Sequence, residues 1–237
     1  MTLTCIGHSG FAIQTETTAI VFDYYIDPAH LAEAILDTKR QRYVFVSHSH
    51  RDHLCHDIFS WHRPHPITRY VIANECRRKL ARSVPVDRLP IHFIKHDEAW
   101  TDGNLTVRAF DSTDAGLCYV VTCEGKTIFH AGDYTCWHFS EENDAKAINK
   151  ARGDFHAILR NIADCFPRLD LAMMPVVPNI GGDWAYGPRE FLRAVEVDLF
   201  VPMHTWGRDR EAAEFERYRN PDHGTCRLMQ PGQSVTF

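Results

Sequence analysis

The sequence predicts an α/β (α+β) chain built as a four-layer αββα sandwich, two sheets packed face to face with helices outside. Two β-rich segments are each followed by helical material, and short apolar, β-branched runs read as buried strands. No Pro/Ser-rich linker, low-complexity tract or internal repeat marks a boundary, so one domain over residues 1–237 is expected. The alternation of strands and helices alone also fits a doubly wound sheet.

The elements follow in order. Thr2 to Asp23 reads as alternating strands with a turn at Thr15 to Thr18, ending in the apolar run Ala19-Ile20-Val21-Phe22. Asp27-Pro28 opens a helix to about Lys39, with proline at the first helical position. Tyr43-Val44-Phe45-Val46 is a buried strand that delivers directly into a histidine cluster. Tyr70 to Ala73 is another, with a helix from Asn74 to about Arg82 whose Arg77-Arg78-Lys79 reads as a solvated face. The β pattern returns at Ile91–Ile94, Leu105–Phe110, Leu117–Cys123 and Thr127–Phe129, with Glu124-Gly125 as a hairpin turn. A long helical stretch from Glu142 to Asp164 is expected to break or bend near Gly153. Leu171–Val176 and Leu199–Pro202 read as core strands separated by a helix from Pro188 to Val195.

Composition narrows the function classes. A net charge of −5 gives no electrostatic reason to expect a nucleic-acid partner. Met1 to Ile13 has no basic leader region, and no apolar stretch approaches the ~18 residues of a membrane span. No membrane partner and a cytoplasmic location are therefore expected. The eight cysteines are scattered without CxxC spacing, which predicts reduced thiols.

The chemistry concentrates in His48-Ser49-His50-Arg51-Asp52-His53, immediately after a buried strand. Neutral imidazoles and a carboxylate are ligands for zinc, iron or manganese. His48 and His50 are two residues apart, so a locally extended backbone points both the same way. Asp52 and His53 follow in a tight turn, where adjacent residues can face neighbouring sites. One or two divalent ions are the expected cofactor, zinc first, with manganese or iron as alternatives.

This HxHxDH run resembles the hallmark of the metallo-β-lactamase superfamily, and the resemblance extends along the chain in the superfamily's order. Thr127 to Asp133 looks like the later strand ending in Gly-Asp, and Leu199 to His204 like the final strand that presents a last histidine. The resemblance implies that His48 and His50 hold a first metal, Asp52, His53 and His204 a second, and Asp133 bridges them. The superfamily commonly supplies a further histidine before the Gly-Asp. Here that region reads Asp111-Ser112-Thr113-Asp114-Ala115-Gly116, so Asp114, or Asp111, stands in as an oxygen ligand, which favours manganese or iron, or else the first site is weak. Ile6 to Phe11 looks like the first strand of the lactonase-like branch and places His8 near the metals; the alternative is a strand-end histidine facing water. Asp23 is a candidate brace for a metal-binding imidazole.

The implied activity is hydrolysis of a small-molecule ester, lactone or phosphoester by a metal-bound hydroxide. Asp52 would orient that nucleophile and accept its proton, and His8 or His130 would assist the leaving group. His130 and His138 either touch the pocket or sit at the edge of their strand or loop. Trp137, Trp184, Tyr186 and Trp206 are candidate pocket walls, and Asn179 to Asp183 a candidate lip. The same fold also hosts nucleases and phosphodiesterases, mononuclear-iron oxidoreductases, and metal-binding proteins without catalysis.

Overall fold

Apolar runs too continuous for a half-exposed strand become parallel strands buried on both faces. In the computed structural model, which describes residues 1–38, 41–139, 141–218 and 224–237, Ala19–Phe22, Tyr43–Val46 and Tyr70–Ala73 are each wholly buried. They lie in β3 to β5 of a series comprising β1 (Thr2–Gly7), β2 (Gly10–Gln14), β3 (Thr18–Phe22), β4 (Gln41–Val46), β5 (Arg69–Ala73) and β6 (Ile91–Ile94). Helix α1 (Leu31–Asp37) links β3 to β4, and α2 (Arg77–Leu80) follows β5. The expected turn after β2 is held by Thr15, whose hydroxyl accepts the backbone N–H groups of Thr17 and Thr18.

A second series comprises β7 (Ala99–Thr101), β8 (Leu105–Asp111), β9 (Leu117–Cys123), β10 (Lys126–His130), β11 (Arg168–Pro175), β12 (Glu196–Met203) and β13 (Thr225–Cys226). It carries α3 (Ala145–Cys165), α4 (Tyr186–Ala194) and α5 (Asp209–Ala213), after which β14 (Ser234–Thr236) returns to pair with β1. Glu124 and Gly125, with φ of 46° and 78°, make the expected hairpin turn between β9 and β10.

The strands form two seven-stranded mixed sheets, ordered β14-β1-β2-β3-β4-β5-β6 and β13-β12-β11-β10-β9-β8-β7. Both follow one plan. From β14 in the first and β7 in the second, three antiparallel pairings are followed by three parallel ones. The chain divides into two compact units, residues 1–95 with 229–237 and residues 96–228, each containing one sheet. No described helix is long and apolar enough to cross a membrane.

Several elements depart from the sequence reading. Helix α1 begins at Leu31, not at Asp27-Pro28, because His30 takes a left-handed φ of 52° and interrupts the turn. Asp27 instead reaches in from outside, its carboxylate accepting the N–H of Ala32 at 2.8 Å. The expected end at Lys39 lies outside the described residues. Ile6 to Phe11 is not one strand but the end of β1, a turn at His8-Ser9 and the start of β2. The helix expected over Asn74 to Arg82 is a 3-10 turn, Asn74–Cys76, running into the single short helix α2.

Helix α3 passes unbroken through Gly153. A Cβ there would meet nothing within 4 Å, so the glycine sits on the open side. Phe155, Leu159 and Ile162 bury the other side, and Asp144 caps the first turn by accepting the Ala147 N–H at 2.8 Å. The glycine's propensity cost of about 1 kcal/mol is outweighed by that packing. All eight cysteines are thiols, as expected. Burial raises Cys136 to about 12 and pushes Cys76 and Cys118 upward as well, which leaves these sulfurs poor nucleophiles.

Candidate metal centre

Of the residues singled out in the sequence, His8, His48, His50, Asp52 and His53 belong to the first unit. Asp114, Asp133 and His204 belong to the second. Each set is assembled at the ends of its own sheet's strands.

In the first unit the parallel strands β3 and β4 end side by side. Asp23 follows β3, is 1% exposed, and turns its carboxylate toward the residues after β4. It accepts the Ser47 backbone N–H at 2.8 Å, the Ser47 hydroxyl at 2.5 Å and His53 Nδ1 at 2.7 Å. An ionised carboxylate only accepts, so the single hydroxyl proton of Ser47 and the Nδ1 proton of His53 are both directed at Asp23. Ser47 Oγ then has only lone pairs to offer His48 Nδ1, 2.9 Å away, so His48 also carries its proton on Nδ1. Both imidazoles are left with a lone pair on Nε2, the form that binds a metal.

The backbone around the motif is held as tightly. His50 O accepts the N–H groups of His53 and Leu54, which closes the turn that carries Asp52. Ser49, between His48 and His50, donates its N–H to Glu75 at 2.6 Å and its carbonyl oxygen accepts from Lys79 Nζ at 2.5 Å. His48 Nε2 and His50 Nδ1 lie 2.9 Å apart, comparable with the ~3.3 Å between ligand nitrogens of a tetrahedral zinc. His8, Asp52 and His53 each offer a ligand atom, all within 4.8 Å of one another. His8 Nε2 is 3.2 Å from Asp52 Oδ2, and His53 Nε2 is 3.6 Å from the same oxygen. His8 holds this place in the tight turn between β1 and β2. A Cβ on Gly10 would come within 2.9 Å of Gly7 O and 3.2 Å of Asp23 O, so only glycine allows that approach.

In the second unit Asp133 follows β10 through Gly132, whose φ is 54°, and is 4% exposed. Its Oδ1 lies 3.2 Å from Nε2 of His204, the residue after β12. The loop after Asp133 is pinned at several points. Trp137 Nε1 donates to Asp133 O at 2.7 Å, and Gly132 N–H donates to Nδ1 of the buried His130 at 3.2 Å. Thr113 hydroxyl donates to Thr135 O and accepts the Thr135 N–H, tying the β8–β9 turn to this loop. Asp114 sits exposed in that turn, and Asp111 is exposed at the end of β8.

The remaining candidates sort by contact. Trp137 and Trp206 both meet the His204 ring edge to face, at 6.0 and 5.3 Å between centroids. Trp184 packs on Phe215 and Tyr218, and Tyr186 lies under Arg152 and bonds His156 through its hydroxyl. His138 is buried with Nε2 3.3 Å from Asp183, and Arg152 holds the same carboxylate. Burial alone would raise Asp183, but His138 and Arg152 outweigh it and hold its carboxyl below the usual value. The segment from Asn179 to Asp183 is thus anchored at Asp183.

Backbone strain marks the same places. Among the described residues, seven that are not glycine have positive φ, and His8, Asp23, His204 and Trp206 are four of them. Each costs about 1–2 kcal/mol in the left-handed region, a cost that recurs at functional sites. Ser47, Glu75 and Thr113 are not singled out by sequence, and Lys79, read there as part of a solvated face, instead donates to Ser49 O. Ser47 has a signal in its place directly before the motif, whereas Glu75 and Thr113 have none.

The donor set, imidazole nitrogens with lone pairs fixed by carboxylate and hydroxyl partners plus carboxylate oxygens, fits a divalent metal. The family model described as a beta-lactamase superfamily domain matches residues 20–204. A UPF0173 metal-dependent hydrolase of Pelotomaculum thermopropionicum is 27% identical over 99% of both chains. The chain is similar in fold to Igni18, a metallo hydrolase of Ignicoccus hospitalis, with a TM-score of 0.67 at 18% identity, over 100% of this chain and 97% of that one. It is likewise similar to the metallo-β-lactamase fold protein YhfI of Bacillus subtilis, with a TM-score of 0.68 at 12% identity, over 99% and 98%. Motif order, donor chemistry and a family match over most of its length agree: this chain belongs to the metallo-β-lactamase superfamily.

Proposed function

We propose that this metal-dependent hydrolase of the superfamily cleaves a small ester, lactone or phosphoester, with one or two divalent ions held by His48, His50, Asp52, His53, Asp133 and His204. Asp114 is the proposed replacement for the superfamily's additional histidine. The observation that carries the reading is the Asp23–Ser47 network, which fixes the protons of His48 and His53 on Nδ1 and leaves their Nε2 atoms ready as ligands. When bound, the metal lowers the pKa of coordinated water toward neutrality and polarises the scissile group.

The chain's own residues do the rest. Asp52, with an oxygen 3.2 Å from His8, orients the attacking water and takes its proton. His8, in its glycine-flanked turn and 3.2 Å from Asp52, returns a proton to the leaving group in this proposal. Ser49, clamped by Glu75 and Lys79, keeps His48 and His50 facing the same way. Elemental analysis of protein purified without added metal, beside His50→Ala, tests the reading. About two equivalents of zinc or manganese, reduced in the variant, support it. One equivalent of iron would replace it with oxidative chemistry, and no metal after reconstitution would overturn it.

A further inference from the structure

Trp206 occupies a position that suits glycine or a small polar residue better. Its φ of 50° lies in the region glycine favours, it is followed by Gly207 at 76°, and its side chain is 54% exposed. The backbone there is nevertheless fixed. Arg208 N–H bonds Thr205 O at 3.0 Å, the Thr205 hydroxyl donates to Asp209, and Arg208 Nη1 reaches Pro178 O at 3.3 Å. This anchored loop sets the indole against the His204 ring, with 5.3 Å between centroids and planes 88° apart. On the same imidazole Trp137 stands 6.0 Å away, itself held by its bond to Asp133 O. The cation of the loop, Arg208, is already engaged by Glu211 through two nitrogens at 3.0 and 2.9 Å.

We infer that Trp206 is a specificity-determining residue that receives an apolar acyl chain of the ester or lactone substrate. The inference rests on the proposed role of His204 at the metal. An exposed indole offers an apolar face on which methylene groups lose water. The strained backbone makes the side chain's purpose testable apart from stability, because glycine relieves the strain and removes the face together.

The probes are octanoate and acetate, which share a carboxylate and differ in chain length, titrated into the zinc-loaded full chain by calorimetry. Octanoate is expected to bind about tenfold more tightly than acetate, the equivalent of about two buried methylenes. In Trp206→Gly that preference collapses toward unity while zinc content holds and the melting temperature stays level or rises. Trp206→Phe keeps most of the preference. Equal binding of the two carboxylates by the unaltered chain, or an undiminished preference in Trp206→Gly, overturns the inference. Turnover of p-nitrophenyl acetate and p-nitrophenyl octanoate separates the two claims. Chain-length preference in binding without turnover of either ester would count against ester hydrolysis alone. Turnover without any length preference would count against the role of Trp206 alone.

Discussion

Replacing Asp23 by asparagine keeps the shape of the buried carboxylate and changes only its hydrogen-bond logic. The introduced side chain retains one oxygen for the Ser47 N–H, but its amide nitrogen now faces the Ser47 hydroxyl and His53 Nδ1, at the oxygen that accepts both in the native chain. A donor there forces His53 to present a lone pair at Nδ1 and move its proton to Nε2. Ser47 must then accept from the amide and can donate to His48 Nδ1, which drives the second imidazole the same way. Both candidate ligand atoms become N–H groups. The expected result is a folded protein, destabilised by about 2 kcal/mol for lost charged hydrogen bonds, whose metal affinity falls 10–100-fold, or about 1.4–2.7 kcal/mol. Chelator competition on the full chain measures the affinity, and thermal melting of the metal-free protein measures the fold. Asp23→Ala strands the same donors with no partner and should melt lower still. If Asp23→Asn melts as expected yet binds zinc within about twofold of the native chain, the tautomer argument is wrong.

Other consequences are as direct. Glu75→Gln combined with Lys79→Met loosens both bonds to Ser49 and should weaken metal binding by about tenfold with little change in melting temperature, read by the same competition. Gly187→Ala places a Cβ 2.7 Å from Cys136 N and 2.8 Å from Thr135 Oγ1, so the loop after Asp133 must shift. Thermal melting should show a loss of about 1–3 kcal/mol, and an unchanged midpoint would contradict the packing. At Asp170, burial would raise the carboxyl, but the Lys126 ammonium at 2.6 Å and the Thr127 N–H together hold it below its ordinary 3.8. A depressed carboxyl stabilises above its unfolded value and loses that contribution as pH falls through the folded one. Asp170→Asn should therefore melt below the native chain near neutrality, with the gap closing below about pH 4.

The parts of this molecule that a linear reading can reach are those with a local physical signature. Val44 to Val46 and Ile20 to Phe22 announce buried strands because parallel strands need apolar side chains on both faces. The motif beginning at His48 announces metal chemistry because few other roles need three imidazoles and a carboxylate within six residues. The start of α1 escapes such a reading because Pro28 suits a first helical turn, whereas His30 adopts a left-handed conformation that nothing in its residue type requires. Gly153 misleads in the opposite sense, since its cost is local and the packing of Phe155, Leu159 and Ile162 that overrides it is not. The clamp on Ser49 is invisible for the same reason. Glu75 and Lys79 are ordinary helix-surface residues until β4 and β5 pair and bring them to the motif.

The shared plan of the two sheets makes this chain, in topological terms, one ladder written twice. In each copy the strand where antiparallel pairing gives way to parallel leads into an aspartate, Asp23 after β3 and Asp133 after β10. The hairpin preceding that strand carries His8 in one copy and Asp114 in the other. The two aspartates have diverged in duty, one turned inward to govern imidazole protons and the other set beside His204. Asp114 is then less a gap in a ligand list than the counterpart of His8, a polar residue that the same hairpin supplies in each copy. Substituting one member of such a pair by the other's residue type asks how far twin positions in a duplicated architecture remain interchangeable.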